Sequence, residues 1–82
     1  MLSFITYKDA PEQLEIVADS KGVNELVDYL LSIKKGKDHM HLSIGTELDE
    51  YPITGPRVGK TISAKHVRLE YEDTSSWNLS EK

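Results

Sequence analysis

Three histidines are the residues of this chain best suited to chemistry. His39 and His41 stand two apart in His39-Met40-His41-Leu42-Ser43-Ile44. On a strand that spacing puts both imidazoles on one face, about 6.6 Å apart along the chain, a separation a divalent transition ion can bridge. His66 adds a third nitrogen if its strand lies alongside, so His39, His41 and His66 form the candidate metal set. The competing reading is a solvated outer face, because alternation along a half-buried strand itself demands polar residues on the side away from the core. No second tight group of acids or histidines occurs at ligand spacing. Ser43 shares a face with His41, as a nucleophile and its base would, but no acid falls where it would orient the imidazole. Glu47, Asp49 and Glu50 offer carboxylate pairs for acid–base work, yet so short a chain encloses little volume in which to shift their pKa values. Thr54-Gly55-Pro56-Arg57-Val58-Gly59-Lys60-Thr61 approaches a phosphate-binding loop. That loop needs four residues between its first glycine and Gly-Lys-Thr, and it must open a helix. Here only three separate Gly55 from Gly59, and the residues that follow are strand-like. A turn built from proline and glycine accounts for the segment. These residues together point away from an enzyme and from a bound cofactor.

Size and charge narrow the field further. With 82 residues the chain is one domain and too short for a TIM barrel or a Rossmann enzyme. Fourteen acids against ten bases give a net charge of −4, the wrong sign for a nucleic-acid binder held by phosphate contacts. The absence of cysteine excludes disulfides and thiolate metal sites, and fits a reducing cytoplasm. The apolar N-terminal residues lack a basic leader and reach Lys8-Asp9 too soon for a secretory signal, and no apolar run approaches membrane-spanning length. The expectation is a cytoplasmic protein with no membrane and no nucleic-acid partner.

The elements that must position these side chains are few. One helix is expected over Lys21 to Lys35. Ser20 or Asp19 would cap it, Val23, Leu26, Val27, Leu30 and Leu31 or Ile33 would make one apolar stripe, Lys34 and Lys35 would sit in the last turn, and Gly36 would supply a left-handed stop. Strands are expected at Phe4 and its neighbours, Leu14–Ala18, His39–Ile44 and Thr61–Glu72. In the last of these, Ile62 and Ala64 are out of phase with Val67, Leu69 and Tyr71, which calls for a bulge or bend near Lys65-His66. A strand–helix–strand unit favours parallel pairing with a right-handed crossover. The fold class expected is α+β: a small mixed sheet of four or five strands with one main helix packed on one face. Residues 1–72 make the domain, and 73–82 are a polar tail from which Trp77 and Leu79 could fold back.

The connection from Gly45 to Lys60 holds sixteen residues, long for a compact domain and therefore a candidate binding segment. It carries Glu47, Asp49, Glu50, Tyr51 and Ile53. Acids would steer a basic partner and tyrosine would anchor it, and His39 and His41 on the polar strand face join them as candidate partner-binding residues.

Strand Leu14–Ala18, the Gly22-containing helix start with Leu26 to Leu31, the His39-Met40-His41-Leu42 strand and the final strand His66 to Tyr71 together resemble the immunity protein 32 group of bacterial polymorphic toxin systems. The likeness covers roughly Leu14 to Glu72. It implies a non-enzymatic protein that binds and neutralises a cognate toxin domain, with no cofactor and no catalytic residues to carry over. Acidity agrees with a basic nuclease as that toxin. Two other readings stand beside it: a small metal-binding domain built on the histidines, and a dimeric structural or regulatory module extended through an exposed edge strand.

Overall fold

A computed structural model describes residues 1–77. In chain order it runs β1 (Leu2–Tyr7), β2 (Ala10–Ala18), α1 (Ser20–Gly36), β3 (His39–Ser43), β4 (Thr61–Ser63) and β5 (His66–Glu70). This is the α+β fold of five strands and one helix that the pattern predicts. The pairing is more divided than a single sheet. β2, β1 and β4 form one three-stranded sheet in that order, β3 and β5 form a two-stranded ribbon, and every pair of named strands is antiparallel.

The parallel crossover expected between β2 and β3 therefore does not form. The bend expected near Lys65-His66 explains why. Ala64 N–H donates to Phe4 C=O (2.7 Å), within the first sheet, and the next carbonyl, of Lys65, accepts from Ile44 N–H (3.0 Å), beside the ribbon. The chain changes sheets across one peptide bond and takes β3 as its new neighbour.

β1 is central in its sheet, so Leu2, Ser3, Phe4 and Ile5 are all buried. Leu2 and Phe4 face α1 and form the core with Leu42 and Leu48, closed over by Leu26, Tyr29, Met40, Val67 and Leu69. β1 and β2 make a hairpin whose register slips between Thr6 and Tyr7, leaving Pro11, Glu12 and Gln13 as the excess on β2. Proline has no N–H for a ladder, so it fits such an irregularity.

The helix starts where expected. Asp19 is the cap, its Oδ1 accepting from Gly22 N–H (2.9 Å) and pairing with the Met1 ammonium (2.6 Å). Both contacts hold the Asp19 carboxyl below its usual pKa, the ammonium having the larger influence. Gly22 faces the Met1 carbonyl so closely that a Cβ there would overlap it. The helix thus docks on Gly22, Leu26, Tyr29 and Ile33, so that of the stripe expected from sequence Leu26 and Ile33 face the core. Val23, Val27, Leu30 and Leu31 lie beside the docked row and remain exposed. At the other end Gly36 is still helical; Lys37 takes the left-handed conformation (φ 51°, ψ 47°), with its N–H on Ile33 C=O. Lys34 and Lys35 sit in the last turn as expected. Trp77 stays half-exposed, its backbone N–H donating to Thr74 C=O (3.0 Å). Leu79 lies outside the described residues. Among the described residues, no helix is long and apolar enough to cross a membrane.

Candidate functional site

The first candidate surface is the outer face of the β3–β5 ribbon. Alternation sends Met40 and Leu42 inward to the core, and His39, His41 and Ser43 outward. Register then sets Ser43 opposite His66, His41 opposite Arg68 and His39 opposite Glu70. This brings the three histidines together. His41 and His66 are hydrogen-bonded, Nδ1 to Nε2 at 2.8 Å, with ring centroids 4.9 Å apart. The His39 ring stands edge-on to His41 at 5.1 Å, and its Nδ1 is held by Asp38 Oδ1 at 2.9 Å. The backbone N–H of His39, and then its ring, keep the Asp38 carboxyl below its usual range. The expected three-histidine metal set is therefore gathered on one face but not assembled around a common point. Among the described residues, no three His, Cys, Asp or Glu side chains are placed to hold an ion.

The second candidate is the segment from Gly45 to Lys60, and it is not a free loop. Ser43 C=O accepts the N–H groups of Thr46, Glu47 and Leu48 in one tight turn, in which Gly45 takes a φ of +93°. Glu47 fastens that turn, its Oε1 accepting from Thr46 Oγ1 (2.6 Å) and Ser43 N–H (3.0 Å). Those two donors, Thr46 first, hold its carboxyl below the usual range. Asp49 joins the segment to β1: its Oδ2 accepts from Leu2 N–H (3.1 Å), and its own N–H donates to Leu2 C=O (2.8 Å). Tyr51 donates its N–H to Ser63 Oγ (2.9 Å), packs its ring against Gly55 and lies beside Arg57.

Arg57 ties the segment to the β1–β2 hairpin. Its Nε reaches Tyr7 Oη (3.0 Å) and Glu15 Oε1 (3.1 Å), and Tyr7 in turn donates to Glu15 Oε1 (2.6 Å). The Glu15 hydrogen bond raises the Tyr7 pKa, since losing the phenol proton would set two anions together. Of the expected partner-binding acids, Glu47 and Asp49 thus have structural partners, as does Tyr51, whereas Glu50 is exposed at the rim of a half-open groove of about 240 Å³ beside Val58, Ile62 and Lys65.

The third surface was missed by the sequence reading. Thr6 has Leu14 on one side and Ile62 on the other, and Phe4 has Ile16 as its partner on β2. Leu14, Ile16 and Ile62 therefore lie on the same side of the sheet as Phe4, the side on which α1 packs. They continue that face beyond the helix. With Val23, Val27, Leu30 and Leu31 of α1, they leave seven large apolar side chains between 45% and 59% exposed. The signal was present as a helix whose apolar residues occupy too wide an arc for one row.

No family model, curated protein or solved structure matches this chain.

Proposed function

We propose that this chain is a non-enzymatic protein-binding module that neutralises a cognate toxin domain one-to-one in the cytoplasm, as the resemblance to immunity proteins implies. The observation that supports binding is a set of seven half-exposed apolar side chains, Leu14, Ile16 and Ile62 on the helix-bearing side of the sheet and Val23, Val27, Leu30 and Leu31 on α1. Contiguous apolar patches beyond a few hundred Å² are uncommon on proteins that act alone. A binding partner would cover that side and give a thin domain the apolar burial it lacks. Exposed Glu50 and the net charge of −4 would steer a basic partner toward it. The toxin as partner, and a nuclease as its activity, come from the resemblance and the charge.

The test is to mix the purified chain with the C-terminal domain of the large secreted protein that the reading expects to be encoded directly upstream. The expected result is a one-to-one complex that blocks toxin activity. Val27→Asp with Leu30→Asp abolishes the complex and leaves thermal unfolding of the free chain unchanged. A complex indifferent to that double change would remove the apolar side from the interface. Elution of the chain alone as a dimer, broken by the same substitutions, would assign that side to a second copy instead.

A further inference from the structure

The histidine pair on the β3–β5 ribbon is aimed, and the aim has a supporting residue. His66 Nε2 points at His41 Nδ1, 2.8 Å away. The other nitrogen of His66, Nδ1, lies 3.2 Å from Ser43 Oγ. With its Nδ1–H donated to that hydroxyl, His66 presents the Nε2 lone pair to His41. Metal-binding histidines are commonly set in this way, one ring nitrogen held by a neighbouring acceptor so that the other is oriented toward the ion.

We propose that His41 Nδ1 and His66 Nε2 together bind a borderline divalent transition ion of the zinc or copper class, with Ser43 orienting His66. Two metal–nitrogen bonds of about 2.0–2.1 Å at a tetrahedral angle set their nitrogens about 3.3 Å apart. The imidazoles need to part by only about half an ångström from their hydrogen-bonded separation. Both side chains are exposed, so ring rotation accommodates this without moving the strands. On binding, His41 changes tautomer, its proton passing from Nδ1 to Nε2 through solvent, and the freed Nδ1 lone pair joins that of His66 Nε2 on the ion. Water fills the remaining positions, because no third side-chain ligand among the described residues completes the set. His39 stays outside it, its ring edge-on to His41 with centroids 5.1 Å apart and with no point among the described residues where three ligands meet. Arg68, opposite His41, is paired with Glu70 at 2.7 Å, which lowers its repulsion of an incoming ion. Imidazole donors select zinc, nickel or copper over calcium and magnesium, which take oxygen ligands.

The experiment is calorimetric titration of the tag-free chain with ZnCl2, with CuCl2 and with MgCl2. One zinc or copper ion per chain is expected, copper binding tighter than zinc, and no magnesium binding. His41→Gln and His66→Gln each weaken binding at least about tenfold, whereas His39→Gln stays within about threefold. Substoichiometric Cu²⁺ broadens the NMR signals of residues 39–43 and 66–70 first, and circular dichroism melts confirm that each variant is folded. Absence of saturable binding, or binding that survives both His41→Gln and His66→Gln, overturns the proposal. So does binding lost in His39→Gln alone.

Discussion

Two neighbouring rows of α1 have similar amino acids and opposite fates. Leu26, Tyr29 and Ile33 pack toward the core in line with Gly22, while Val23, Val27, Leu30 and Leu31, about 100° around the helix, are open to solvent. Hydrophobicity does not separate the rows, since the outer one has more aliphatic residues. A single missing Cβ does. Gly22 lets the first turn sit directly against the Met1 carbonyl, and the row that contains it becomes the row that docks. In a domain this thin, close approach of backbone decides which apolar side chains the fold uses and which it leaves for something else.

That contrast can be broken or sharpened by substitution. The largest effect belongs to the inner row: Ile33→Ala is expected to destabilise the chain by about 2–5 kcal/mol in urea unfolding, as for other buried aliphatic truncations. Gly22→Ala should cost about 1–3 kcal/mol, an overpacking effect, although alanine is the better helix former. A neutral or stabilising result would show that the close approach at Met1 does not select the docked row. Next comes Asp19→Ala, which removes the cap and the ammonium's partner together and should lower the melting temperature by less than either core change. The outer row gives the smallest change: Val27→Thr or Leu30→Gln is expected to shift unfolding by no more than about 0.5 kcal/mol, the usual range for surface positions. A loss several times larger would mean that the outer row already supports the fold.

Acid titration adds a check on the capped end. The Asp19 carboxyl has a folded pKa below its ordinary 3.8, so its contribution is complete above that value and is lost as pH falls through the lowered one. Glu47 follows the same sign from an ordinary 4.5. Stability of the native chain should therefore drop below about pH 4, more steeply than that of Asp19→Ala, when unfolding is followed by circular dichroism.

Local order was largely legible in the sequence. The helix, a cap at Ser20 or Asp19 that the structure gives to Asp19, the alternation of His39 to Ser43 and the phase break before His66 are each set by near neighbours, and each appears in the structure. What pairs with what was less legible, because parallel or antiparallel placement depends on where a distant strand arrives. The segment from Gly45 to Lys60 shows the same limit. Its acids read as free charges, yet Glu47 and Asp49 find backbone N–H groups at Ser43 and Leu2, the second of them 47 residues away. The histidines fared better, since register alone carries His66 to the side of Ser43 and His41.

The change of sheets at Ala64–Lys65 bears on the order in which the molecule can be built. β1 can pair with β2 once residue 18 has been synthesised, but its second edge is closed only by residues 61–64, near the end of the described chain. The ribbon waits for the same stretch, since β3 has no partner before β5. A nascent chain therefore carries a half-made hairpin and an unpaired strand until residues 61–70 emerge, and that one decapeptide completes both. Closure across so long a loop is slow relative to local hairpin formation. Truncation before residue 61 should leave a species with an exposed strand edge, prone to associate with its own kind.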